Sequence, residues 1–175
     1  MSDIVTTLTL DMLRETLQAV GYRVEQLTDP VASVPYLRSA TAGLAFDIRP
    51  GNRFVGDDQG FADVAFVAAL QVQGELPLEI INRWNVTRRF GRLQLSQPFL
   101  VFCLDVSVAG GVAPNHVRAQ IEIWDRLVQE LIAYLRDELQ KLGVAQAAQA
   151  AQTPVSAVEP ARDGAADAAA PATIQ

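Results

Sequence analysis

A chain of 175 residues and 19.0 kDa has room for one domain with a real core, so one domain plus a tail is expected rather than two domains. Hydrophobic residues make up 50% and charged residues 19%, a balance that excludes a wholly disordered chain. The net charge of −6 disfavours nucleic acid as the main partner.

The first element is a helix. Leu10, Leu13, Leu17 and Val20 share one side, Thr9 stands as N-cap, Asp11 lies in the first turn and Gly21 follows the end. Tyr22 to Leu27 reads as a strand closed by Asp29-Pro30, and Tyr36 to Ala40 as a second short one. After Gly43, Leu44, Phe46 and Ile48 alternate with Ala45, Asp47 and Arg49, which predicts a half-buried third strand. Arg49 to Gly60, RPGNRFVGDDQG, has loop composition. Phe61 to Gln73 is a long strand with two apolar sides: Val64, Phe66, Ala68, Leu70 and Val72 on one, Ala65, Val67 and Ala69 on the other. Two apolar faces call for two covers.

Pro77 opens a second helix, with Ile80, Ile81 and Trp84 on its buried side. Leu93 and Leu95 begin a strand pair, broken at Ser96 to Pro98 and resumed from Phe99 to Val108. Leu100, Phe102, Leu104, Val106 and Val108 form the core face of its second member; Phe99, Val101, Cys103, Asp105 and Ser107 form the other. Pro114 restarts helix, in which Val117, Ile121, Trp124, Val128, Leu131 and Leu135 step by threes and fours. Ile123, Leu127 and Tyr134 lie on a second strip about 100° round from the first, so this helix has more apolar surface than one sheet contact needs. Past Gly143, VAQAAQAAQ favours helix briefly, after which Pro and Gly without periodicity cannot build a core. A domain over 1–142 and an Ala/Pro-rich disordered tail over 143–175 are expected.

Little here carries chemistry. The one histidine, His116, stands in a first helical turn, and the one cysteine, Cys103, sits mid-strand, so neither a hydrolytic triad nor a zinc site of the usual N/S type is expected. Asp57, Asp58 and Asp63 match no calcium loop, and GDDQG and AGG lack the P-loop lysine. No cofactor and no metal are predicted. Arg83, Arg88, Arg89 and Arg92 form the basic cluster of an acidic chain; they bind an anion or, the preferred reading, pair with the domain's own carboxylates. The start MSDIVTTLTL lacks a basic n-region and a long apolar stretch, and no apolar run nears the ~20 residues of a bilayer span. A cytoplasmic address without membrane attachment is expected.

INRWNVTRRFGRLQL, a strand ending LDVSVAGGV and a helix containing IEIWDRLVQEL together resemble the YbjN family of bacterial proteins, often labelled sensory transduction regulators. TLTLDMLRETLQAVGY looks like that family's opening helix. The positions that carry the resemblance are Asn82, Trp84, Asn85, Arg89, Phe90, Gly91, Asp105, Gly110, Gly111 and Trp124. The resemblance implies an α+β fold similar to type III secretion chaperones, an antiparallel sheet with three helices in the order α-β-α-β-α, and no known enzymatic activity. Ala113 departs from the Ser or Thr helix cap usual after the Gly-Gly, and the tail has no family counterpart.

The expectation is a non-enzymatic regulatory or chaperone-like module that binds a protein partner through surface its own helices leave open. A homodimer is also expected, with Ile123, Leu127, Tyr134, Val67 and Ala69 as candidate contact residues. The alternative is a small-ligand or anion sensor, or an enzyme, built on the arginine cluster.

Overall fold

The computed structural model describes residues 4–53 and 60–152. The chain divides into two compact units, Met1–Leu139 and Gln140–Gln175. The elements run α1 (Leu10–Ala19), β1 (Glu25–Thr28), β2 (Pro35–Thr41), β3 (Leu44–Pro50), β4 (Asp63–Gln71), α2 (Leu78–Thr87), β5 (Arg92–Ser96), β6 (Phe99–Ser107) and α3 (His116–Gln152). All strand pairs are antiparallel, in the order β1-β2-β3-β4-β6-β5. The fold is α+β, as the sequence predicts, and its element order is compatible with α-β-α-β-α.

Thr9 caps α1 by accepting from the Met12 N–H at 3.2 Å, and Leu13 and Leu17 bury the expected side. Across the sheet, period-2 alternation lines up Leu37, Ile48, Phe66 and Leu104 in register, all buried. Onto that row α3 lowers Trp124, whose ring lies 5.5 Å from Phe46, 5.6 Å from Phe66 and 5.2 Å from Phe102. Each of these fully buried rings is worth about 1.5–3 kcal/mol relative to water, so the cluster dominates the core. Trp84 of α2 meets Phe102 edge-on at 5.6 Å, and Arg14 of α1 reaches Gln26 of β1 at 3.2 Å. The three helices therefore share one face of the sheet.

Three boundaries differ from expectation for local reasons. Tyr22 stays outside β1 because its phenol donates to Asp125 of α3 at 3.1 Å. Phe61 lies outside β4 because its backbone exchanges hydrogen bonds with Leu8. α3 passes Gly143 and continues through the alanine-rich run to Gln152, since alanine has the strongest helix propensity and offsets a single glycine, which costs about 1 kcal/mol. The remainder of the expected tail, 153–175, and residues 54–59 of the expected loop, with Asp57 and Asp58, lie outside the described residues.

Candidate functional site

With every helix on one side, the opposite face of the sheet is left without a cover among the described residues. Its centre is an apolar band in which Ala69 pairs with Val101 and Val67 with Cys103, extended by Ala65 and by Phe99, 43% exposed. Val67 is half-buried and Ala69 exposed, so both expected contact residues of β4 lie on this open face. Charge fences the band on both sides. Toward β2 and β3, Asp47 accepts from Arg38 at 2.8 Å and from Arg49 at 3.1 Å, and Arg49 reaches on to Asp29 at 2.9 Å while lying 4.6 Å over the Tyr36 ring. Toward β5, Arg92 pairs with Asp105. Cys103 sits between these elements; burial pushes its thiol up, with Arg92 opposing, so it stays protonated at neutral pH.

Asp29 anchors the fence at its far end. The Ala32 N–H, then the Arg49 guanidinium, then the Val31 N–H hold its pKa down from the usual 3.8 to about 2. A carboxylate whose folded pKa lies below its unfolded one stabilises the fold above the unfolded value, and loses that contribution as pH falls through the folded value. The expected NMR titration midpoint of Asp29 is therefore about 2, with Asp29→Asn flattening the pH dependence of stability between about 4 and about 2. A midpoint near 3.8 would contradict the turn as described.

Several of the family-like residues of α2 and the following turn are engaged with the chain itself. Trp84 is fully buried and its indole N–H donates to the Gly91 carbonyl at 3.1 Å. The Asn85 amide donates to the Leu93 carbonyl at 3.0 Å and accepts from the Leu93 N–H at 2.9 Å. Asn85 thereby imitates a neighbouring strand and closes the β5 edge, which would otherwise offer Leu93 to another chain. A Cβ on Gly91 would come within 2.4 Å of the Phe102 ring, which explains the glycine. Gly110 and Gly111, at φ 84° and 87°, turn β6 toward α3, and Gly111 leaves room for Ile4, whose neighbour Val5 bridges to Val112. Asn82 is exposed on α2, and Asp105 serves Arg92.

The arginine cluster is spread rather than gathered. Arg83 pairs with Glu138 at 2.9 Å, Arg88 with Glu130 at 3.3 Å, and Arg92 with Asp105 on the far face of the sheet. Arg89 makes no ion pair among the described residues.

The second strip of α3 is likewise taken up within the chain. Leu127, 7% exposed, packs toward Gly91, and Tyr134 donates to the Ile80 carbonyl at 2.6 Å while its ring lies 5.3 Å from Trp84. What periodicity reads as surplus is covered by α2, so Leu127 and Tyr134 do not offer a free face; Ile123 is half-buried. Ile123, Leu127, Arg88, Arg89 and Phe90 nevertheless meet in one groove of about 300 Å³ between the α2–β5 turn and α3, joined by Arg126.

A larger open hollow, about 790 Å³, lies where Val20 to Glu25 passes the β2–β3 hairpin. Tyr22 and Thr41, which line it, both donate to Asp125, which also accepts from Gln129 at 2.8 Å. Burial pushes the Tyr22 phenol up, opposed by its bond to Thr41. Tyr22 and Asp125 lie 103 residues apart, so no local spacing could have signalled the cluster.

The fold and its surfaces define a two-layer α+β domain with one sheet face uncovered among the described residues. This chain belongs to the YbjN family: the family model, described as "Putative bacterial sensory transduction regulator", matches residues 9–137. Membership supports a regulatory or binding role in general terms. No match is found among curated proteins or among solved structures. No helix among the described residues is long and apolar enough to cross a membrane.

Proposed function

We propose that this chain is a non-enzymatic, cytoplasmic regulatory or chaperone-like module that binds protein, and that it works as a homodimer joined through its open sheet face. One observation carries the reading: all three helices lie on one side, and the other side presents a band of Ala65, Val67, Ala69, Phe99 and Val101 to water. An isolated apolar residue in water is ordinary, but a contiguous band fenced by ion pairs has the anatomy of an interface, apolar at the centre and charged at the rim. A second copy fits that pattern, because a twofold axis sets band on band and leaves the Arg38–Asp47–Arg49 and Arg92–Asp105 groups at the margins. The anion-sensor alternative is the less favoured, since three of its four guanidinium groups already hold carboxylates.

Light scattering behind a sizing column tests the dimer. The expected mass at micromolar concentration is twice 19.0 kDa, falling to 19.0 kDa in Val67→Glu with Val101→Glu while the far-UV spectrum is kept. A wild-type mass of 19.0 kDa rejects it.

A further inference from the structure

Phe90 is 68% exposed and has φ 71°. Bulky residues avoid that region, and the Gly91 N–H donates to the Arg89 carbonyl at 2.9 Å across it, a tight turn of the strained kind. The turn is kept in place from beneath, by the Trp84 bond to Gly91 and the fit of Gly91 under Phe102. Its effect is to hold an exposed aromatic ring next to Arg88 and Arg89, in the groove that Ile123 and Leu127 also line.

The charges of this groove are unbalanced. Arg88, Arg89 and Arg126 line it against the single carboxylate of Glu130, in a chain whose net charge is −6. Glu130 is engaged with Arg88, whereas Arg89 and Arg126 make no ion pair among the described residues. A simple anion would not use Ile123, Leu127 or Phe90, and an apolar ligand would not use the arginines. An acidic peptide carrying a large apolar side chain satisfies both, its carboxylates on Arg89 and Arg126 and its apolar residue between Phe90 and the α3 floor.

We propose that the Arg88–Phe90 turn and the adjoining face of α3 form a docking groove for an acidic, apolar-anchored peptide segment of a partner protein. The proposal deepens the protein-binding reading and rests on it. The groove lies in the helix layer, on the other side of the sheet from the band proposed for the dimer, so the two stand or fall separately.

Fluorescence anisotropy on the full chain tests it, with a fluorescein-labelled dodecapeptide of glutamate and leucine as probe. One comparator carries lysine for glutamate and the other alanine for leucine. The expected result is binding at least about tenfold tighter than either comparator, weakening as salt rises. Arg89→Glu with Arg126→Glu lowers affinity about a hundredfold and Phe90→Ala about tenfold, both with unchanged thermal midpoints because all three side chains are exposed. Equal binding of the lysine peptide, equal binding of the alanine peptide, or an affinity untouched by either variant overturns the groove. Displacement of the probe by a short single-stranded RNA at equal concentration overturns it too. A chain that fails these measurements yet remains dimeric loses the groove alone, and a monomer that passes them loses the dimer alone.

Discussion

Trp84→Ala is expected to cost about 3–5 kcal/mol, the largest single loss in the molecule outside the Trp124 cluster. The indole is wholly buried, touches Phe102 edge-on and Tyr134 obliquely, and its N–H holds the Gly91 carbonyl at 3.1 Å. Removing it leaves a cavity between α2, α3 and β6 and an unpaired carbonyl at the start of β5. Trp124 supplies the contrast, because its indole N–H is buried without a partner among the described residues. Trp124→Phe removes an unsatisfied donor and is expected to cost less than Trp84→Phe, although the two rings are equally buried. Urea unfolding of the three variants measures this; equal costs for the two Phe variants would contradict the hydrogen-bond account.

Gly91→Ala is the second large effect, about 1–3 kcal/mol destabilising although only a methyl group is added. That methyl would stand 2.4 Å from Phe102 Cζ and 2.6 Å from Cε2. A flexible neighbour could swing away, but Phe102 is stacked on Trp124 at 5.2 Å and met edge-on by Trp84, so it has nowhere to go. Phe102→Leu is destabilising alone, yet combined with Gly91→Ala it should cost less than the sum of the two, a coupling that unfolding midpoints of the double-mutant cycle read directly. Strict additivity would show that the clash is relieved elsewhere.

Much of the architecture was legible because period and punctuation are local properties. The leucines of α1, the Thr9 cap, the core face of β6 and the helix after Pro114 were all read from spacing, and the structure places them so. The sidedness of the sheet was not legible: β4 is apolar on both faces, and nothing in its alternation says which face the helices choose. The same blindness affected α3. Its strip of Leu127 and Tyr134 read as surplus because the position of α2 depends on the Trp84–Gly91 bond and the Asn85–Leu93 pair, which no periodicity encodes. The preferred pairing of the arginine cluster holds for Arg83, Arg88 and Arg92 but, among the described residues, not for Arg89, and the carboxylates, as with Glu138 lying 55 residues from Arg83, are tertiary neighbours. What spacing could offer was the list of candidates; folding decided that Arg89, Phe90 and Ile123 share a groove and that Arg92 does not.

The open sheet face is the centre of this account, and distances between spin labels on paired copies test it most directly. In a Cys103→Ser background, one label replaces Ala69 on the open face and, in a second sample, one replaces Val86, exposed on α2 in the opposite layer. Pulsed electron paramagnetic resonance should give a narrow intermolecular distance at Ala69→Cys, clearly shorter than the one at Val86→Cys. No dipolar coupling at either position, or the shorter distance at Val86→Cys, would contradict a dimer built on that face.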